Sequence, residues 1–244
     1  MRRTALVTGA NRGLGFETAR QLGRLGITVL VGARDPAKGE AAADRLRAED
    51  IDARPLTLDV RSTESVRAAA ERVREDHGAL DILVNNAGIL PEAARETAGP
   101  MDVAMFRETY ETNVFGAVTA IHELLPLLRE SEAGRIVNVS STMGSLADQT
   151  DPSSPYYALG VPAYRTSKLA LTGITVALAR HLEGTAIKVN AICPGSVQTD
   201  LAPGNREAAP TTPEEASRIV VEMATLGPDG PSGAFVDGDG TVAW

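Results

Sequence analysis

Tyr164 and Lys168 are the residues whose types and spacing point most directly to chemistry. Of the 24 lysine and arginine side chains in this 244-residue sequence only three are lysine, so a lysine four places after a tyrosine stands out. On a helix, residues four apart are neighbours, turned by about 40°. A compact ammonium beside a phenol favours phenolate and lowers the phenol's pKa. Such a tyrosine suits general acid or base work near neutral pH. The competing reading is an ordinary helix-surface contact worth about 0.2–0.5 kcal/mol. What surrounds the pair in the chain decides between them.

Short apolar runs recur at Ala5–Thr8, Ile27–Val31, Arg54–Leu58, Leu80–Val84, Arg135–Val139, Ile187–Ile192 and Gly233–Val236. Longer stretches with helical spacing of apolar residues separate most of them. This alternation predicts βαβ units and a three-layer α/β domain, a doubly wound, mainly parallel sheet of seven strands. Asp35-Pro36, Ser62-Thr63-Glu64-Ser65 and Thr212-Pro213-Glu214-Glu215 read as helix starts, opening helices to about Glu49, over Val66–Asp76 and over Ala216–Thr225. Met101–Arg129 and Pro162–Leu182 read as the two longest helices, the second carrying the pair. Asp148–Gly160 reads as a loop. No Pro/Gly/Ser-rich linker divides the chain, so a single domain over residues 1–244 with a loop insertion at about 148–160 is expected.

Directly after the first strand comes Thr8-Gly9-Ala10-Asn11-Arg12-Gly13-Leu14-Gly15, leading into a helix over Phe16–Leu25. Glycines at a strand-to-helix turn let the backbone approach a pyrophosphate at the helix N-terminus, the Rossmann-type device. A glycine-rich turn that binds nothing is the alternative. At the end of the second strand a free ribose 2′-hydroxyl asks for an acid and a 2′-phosphate for arginine. Arg34 follows that strand and Arg12 sits in the glycine loop, whereas Asp35 precedes Pro36 as a helix cap. Two guanidiniums placed in this way favour NADP(H).

Hydrophobic residues make up 43% of the sequence, enough for a sizeable core, and no apolar run approaches the roughly 20 residues of a membrane span. The apolar stretch after Met1-Arg2-Arg3 is too short for a signal peptide and reads as the first strand. Cys193 is the single cysteine, expected as a small buried apolar residue, so no intramolecular disulfide or zinc cluster is available. The formal charge of −8 argues against nonspecific nucleic-acid binding. The expectation is a soluble cytoplasmic globular protein with no metal. His77, His122 and His181 share no ligand spacing.

Further ordered segments join these. Asp59-Val60 follows the third strand, Asn85-Asn86-Ala87-Gly88 the fourth, and Pro194-Gly195-Ser196-Val197-Gln198-Thr199 the sixth. Asn113 lies in Glu111-Thr112-Asn113-Val114-Phe115-Gly116, and Ser141 closes Ile136-Val137-Asn138-Val139-Ser140-Ser141. With the glycine loop and the Tyr164/Lys168 pair, nearly the whole chain resembles the short-chain dehydrogenases/reductases in their compact single-domain branch. Thr8–Glu17 and the C-terminal Gly233–Trp244 are most similar to the carbonyl-reductase-type members.

The resemblance implies a role for each matching residue. Tyr164 donates a proton to a carbonyl oxygen as NADPH delivers hydride to the carbonyl carbon. Lys168 lowers the phenol pKa and hydrogen-bonds the nicotinamide ribose. Ser141 orients the carbonyl oxygen, with Ser140 the rival. Asn113 holds a water in a proton relay; a core amide satisfied by backbone is the plainer reading. Gly9, Asn11, Arg12, Gly13, Leu14, Gly15 and Arg34 hold the phosphates. Asp59, with Val60, receives the adenine amine, or else Asp59 caps the next helix. Asn86, Ala87 and Gly88 run beside the adenosine ribose, Asn85 being structural, and Pro194, Gly195, Val197 and Thr199 surround the nicotinamide carboxamide.

Two departures from the family pattern stand out. Ser141 and Tyr164 are 23 positions apart, more than in the common compact members, and the extra residues fall in Asp148–Gly160. That loop either lines the pocket or covers a helix face that relatives use for dimerisation, which leaves monomer and homo-oligomer open. The final segment is short, with little chain for a substrate lid. Leu90, Met143, Leu146, Tyr156, Tyr157 and Leu201 are the candidate pocket residues and suggest an apolar small-molecule ketone or aldehyde. An alcohol dehydrogenase working oxidatively on NAD is opposed by Arg12, Arg34 and the lack of an acid at Ala33. A non-catalytic NADP(H)-sensing protein is opposed by the presence of all four tetrad candidates, and an enoyl reductase by the tyrosine–lysine spacing.

Overall fold

Strands that are apolar along their whole length need cover on both faces. The computed structural model, which describes residues 3–99 and 101–244, provides it. Met1, Arg2 and Pro100, which the single-domain expectation includes, lie outside the described residues. Strands β1 (Thr4–Thr8), β2 (Thr28–Ala33), β3 (Ala53–Thr57), β4 (Ile82–Asn85), β5 (Arg135–Val139), β6 (Lys188–Ile192) and β7 (Phe235–Asp237) are parallel, in the order β3-β2-β1-β4-β5-β6-β7. Among the described residues the sheet has eight strands rather than the expected seven. The two-residue β8 (Gly240–Thr241) turns back antiparallel on β7. Two residues carry no periodic signal; the hairpin is made by Asp237, whose Oδ1 accepts from the Asp239 and Gly240 amides at 2.9 and 3.1 Å.

One face of the sheet is covered by α1 (Gly13–Arg24), α2 (Pro36–Arg47) and α9 (Pro213–Ala224), through Phe16, Leu22, Leu46 and Val220. The other is covered by α3 (Thr63–His77), α5 (Gly116–Arg129) and the region around α7 (Pro162–His181), through Val66, Val73, Leu124, Leu128 and Leu182. The expected caps are in place. Asp35 accepts from Lys38 N, Ser62 from Ser65 N, and Thr212 with Glu215 forms a capping box. Each such cap typically stabilises by about 1 kcal/mol.

The expected single helix over Met101–Arg129 is three segments in line. Asp102 caps α4 (Val103–Tyr110), a π-helical turn spans Glu111–Phe115, and α5 follows. A π turn inserts a residue into the helical period and re-aims the side chains it carries, here Asn113. The expected loop Asp148–Gly160 begins inside a short helix, α6 (Leu146–Thr150), capped by Ser145; α8 (Asn205–Ala208) is another short helix. Register places the site. Val7 pairs with Val31 on one side and Val84 on the other, so the glycine loop and Asn86–Gly88 leave the sheet side by side.

Candidate active site

Tyr164 sits in the first turn of α7, only 5% exposed. Burial pushes its phenol above the ordinary range, the buried Cys193 thiol adds to that, and a hydrogen bond with Ser141 pulls the other way. Lys168, one turn on, is 4% exposed. Its Nζ lies 5.5 Å from the tyrosine ring centroid and donates to the Val139 carbonyl at 2.9 Å. Burial draws the ammonium down to about 8. The net shift of the phenol in the protein alone is therefore upward, opposite to the lowering expected of a lysine neighbour by itself. Loss of water around the phenol outweighs other influences, and the burial that keeps the phenol protonated also weakens the lysine's charge.

Ser141 lies two residues beyond the end of β5 and caps a one-turn 3₁₀ helix, Thr142–Gly144, its Oγ accepting from Met143 N at 3.2 Å. This turn lies flat on α7. A Cβ on Gly144 would stand 2.7 Å from the Leu169 nitrogen, so only glycine lets Ser141 reach Tyr164. Ser140, the rival, faces away and donates to the Lys168 carbonyl at 3.1 Å. Asn113 accepts at Oδ1 from Ile89 N (2.8 Å) and donates from Nδ2 to Ile89 O (3.0 Å) and Ser167 Oγ (3.1 Å). Both its donors are thus engaged, and one Oδ1 lone pair remains for a water. Asn113 Oδ1 and Lys168 Nζ each lie 3.5 Å from the point where a Cβ on Gly88 would stand.

The glycine loop is tied to the end of β4. Thr8 Oγ1 accepts from the Asn86 and Ala87 amides, each at 3.0 Å, and Asn86 Nδ2 donates to Thr8 O at 2.8 Å. A Cβ on Gly15 would stand 2.7 Å from the Gly9 carbonyl oxygen and against Asn86 Nδ2, so α1 starts against this knot only because that residue is glycine. Asn86 is therefore engaged with the loop itself, and Asn85 donates to Asn138 Oδ1 at 2.9 Å inside the sheet. Gly9, Asn11 and Gly13 line the turn half-buried, Leu14 is buried, and the start of α1 presents the free N–H groups that suit a pyrophosphate.

Arg34 is exposed beside Asp59 with no ion pair among the described residues. Arg12 is ion-paired at 2.5 Å with Asp200, which also binds Arg206. Asp59 is held low first by a hydrogen bond from Arg61. Ser62, rather than Asp59, caps α3. Val60 is buried next to Asp59, and beyond β6 Pro194 is half-buried, Gly195 exposed and Val197 buried. The Thr199 methyl lies 3.2 Å from where a Cβ on Gly13 would stand, so the segment after β6 reaches the glycine loop.

A sequence profile of the short chain dehydrogenase family matches residues 3–210. The chain belongs to the short-chain dehydrogenase family. It is 39% identical to the short-chain dehydrogenase anuI of Penicillium roqueforti over 97% of this chain and 94% of that protein. It is 36% identical to carbonyl reductase (NADPH) 1 of Homo sapiens over 98% of each chain. Among solved structures, the NADPH-bound carbonyl reductase from chicken fatty liver superposes with a TM-score of 0.85 at 30% identity, covering 100% of both chains. The expected Rossmann-type fold and family are borne out.

In this short-chain dehydrogenase the rim of the site is less enclosed than its floor. Leu146, Tyr157 and Leu201 are exposed, while Leu90, Met143 and Tyr156 are half-buried, and burial raises the Tyr156 phenol. Arg165, next to Tyr164, is buried and donates to the carbonyls of Tyr156, Tyr157 and Leu159, fastening the inserted segment to α7. Glu92 escaped the sequence reading. Its two carboxylate oxygens accept from Ala163 N at 3.0 Å and Tyr164 N at 2.8 Å. The available signal was a helix start, Val161-Pro162, with no local capping side chain. Among the described residues no helix is long and apolar enough to cross a membrane.

Proposed function

We propose that this short-chain dehydrogenase is an NADPH-dependent reductase of an apolar ketone or aldehyde, working as one domain with Tyr164 as proton donor. The observation that carries the reading is the buried phenol of Tyr164, hydrogen-bonded to Ser141 and one helical turn from a buried Lys168. The curated relatives named carbonyl reductase (NADPH) support both the reaction and the cofactor. The residues present fit that cofactor. Gly9, Asn11, Gly13, Leu14 and Gly15 form a cradle at the N-terminus of α1, Arg12 and Arg34 stand where a 2′-phosphate asks for guanidiniums, and no acid replaces Ala33. Asp59, Val60, Asn86, Ala87 and Gly88 would flank the adenosine, and Pro194, Gly195, Val197 and Thr199 the nicotinamide.

NADPH, when bound, supplies the hydride. The chain's own residues manage the proton. Tyr164 Oη remains protonated because burial disfavours phenolate, and it gives its proton to the carbonyl oxygen as charge develops there. Ser141 Oγ, already beside the phenol, donates to the same oxygen and fixes its position. The Lys168 ammonium steadies the phenolate left behind, and Asn113 with Ser167 holds the helix that carries both. A panel of ketones and aldehydes tests the reading, with NADPH consumption followed by absorbance. Turnover with NADPH, preferred over NADH and abolished in Tyr164→Phe, is the expected result. Equal use of NADH would remove the Arg12/Arg34 argument, and an active Tyr164→Phe variant would remove the mechanism.

A further inference from the structure

Helix α7 begins without a cap of its own. Val161 offers no side-chain acceptor and Pro162 has no N–H, so the first donors needing partners are those of Ala163 and Tyr164. Both are taken by one carboxylate from elsewhere in the chain, that of Glu92, at 3.0 and 2.8 Å. Glu92 lies on the single turn Pro91–Ala93, three residues after Ile89. Ile89 is in turn bound through both its N–H and its carbonyl to Asn113, at 2.8 and 3.0 Å. Asn113 donates to Ser167 Oγ at 3.1 Å, and Ser167 Oγ donates to the Tyr164 carbonyl at 2.7 Å. The contacts close a ring through Asn113, Ile89, Glu92, Tyr164 and Ser167, with both backbone polar groups of Tyr164 inside it.

We propose that Glu92 is the positioning residue for Tyr164: its carboxylate fixes the first turn of α7 so that the phenol stays aligned with Ser141. The inference rests on the reading of Tyr164 as proton donor and adds a residue that touches no reacting atom. A negative group at a helix N-terminus is favourable in itself, but here it also closes the ring. Without it, the Tyr164 backbone is held at its carbonyl alone, on a helix end that has no other side-chain cap. A small displacement of a reacting group costs rate out of proportion to its effect on binding.

The test pairs Glu92→Ala with Glu92→Gln, which keeps one acceptor oxygen and puts an NH2 that cannot accept where the other carboxylate oxygen meets its amide. Kinetics with NADPH and with its deuteride-labelled form are measured alongside 19F spectra of protein labelled with fluorotyrosine. The chain has four tyrosines, and the Tyr164 signal is identified by its loss in Tyr164→Phe. Expected are a kcat at least about tenfold lower in Glu92→Ala, an NADPH KM within about twofold of the parent, a larger isotope effect as the chemical step becomes limiting, and a shifted, broadened Tyr164 signal. Glu92→Gln should fall between. A lowered melting temperature with kcat and the Tyr164 signal unchanged would overturn the proposal, leaving Glu92 a simple cap. If Glu92→Ala does not fold, Glu92→Gln is judged by the same criteria. If the parent protein reduces no carbonyl, the reductase reading fails on its own and the 19F signal still decides the positioning role.

Discussion

The floor and the rim of the site are built on different terms. On the floor, between Thr8, Asn86, Asn113, Ser167 and Lys168, polar contacts run from backbone to side chain and back across four elements. On the rim, Asp148 Oδ2, Gln149 Nε2 and Arg165 Nη2 are buried without partners among the described residues, and Tyr157 and Leu201 are exposed. A buried polar network that is satisfied holds one geometry, whereas one with open positions is under-determined. Constraint therefore lies on the floor, as the proposed proton transfer would need, while the rim is of the kind that varies freely on a shared scaffold.

Breaking the floor at its centre gives the largest effect. Tyr164→Phe keeps the ring and its burial and removes the proton, so kcat should fall about a thousandfold, the scale of general acid catalysis. NADPH binding, measured by fluorescence, should change by no more than about twofold. A comparable loss from a rim substitution such as Tyr157→Phe would contradict the division, since the expected effect there is small.

The edge of the cofactor cradle comes next. Arg34 is exposed and without an ion pair among the described residues, so its charge is available to a phosphate. Arg34→Ala should raise the KM for NADPH about 10- to 100-fold, the worth of a charge-assisted hydrogen bond, and leave the KM for NADH nearly unchanged. Parallel weakening of both cofactors would mean that Arg34 acts on the fold and not on the 2′-phosphate.

Acidity offers a finer probe of the floor. Burial draws Lys168 to about 8 from the model-compound value of 10.5, and pushes Tyr164 above its ordinary value of 10. Reduction needs the phenol protonated and the lysine charged. The phenol meets its condition throughout the working range, whereas the ammonium is lost as pH rises through about 8. The reduction rate should therefore decline above that pH, by up to about tenfold per unit. A profile flat to pH 10 would show that Lys168 keeps its charge in the working enzyme.

The sequence conveyed the floor better than the rim, for physical reasons. Apolar runs such as Leu6–Val7 and Val29–Val31 can be covered only in a layered sheet, and Gly15 reads as a close approach because nothing larger fits. The i,i+4 relation of Tyr164 and Lys168 is local and survives any tertiary context. The π turn at Asn113 alters the period by one residue inside a convincing helix, which no pattern of apolar positions reveals. Phenol acidity depends on burial as well as on neighbouring charge, and burial is a tertiary property that the spacing of Tyr164 and Lys168 does not carry. Glu92 lies 72 positions from Tyr164, and nothing local announces that it caps another helix.

Where floor and rim touch, the expected effect is smallest and the outcome most informative. Arg12 lies in the proposed cradle, yet its guanidinium is paired with Asp200 on the segment after β6, an exposed contact that also engages Arg206. Arg206 first, then Arg12, holds the Asp200 carboxyl down to about 2, so the carboxylate is ionised at any working pH. A 2′-phosphate must compete with that carboxylate for Arg12. Exposed ion pairs contribute little and are screened by salt, so Asp200→Asn should tighten NADPH by only about two- to fivefold, with the gain shrinking at high ionic strength. NADH, lacking the phosphate, should bind as before. Weaker NADPH binding in Asp200→Asn would invert the relation, making Asp200 a tether that holds Arg12 ready and the rim a contributor to the cradle.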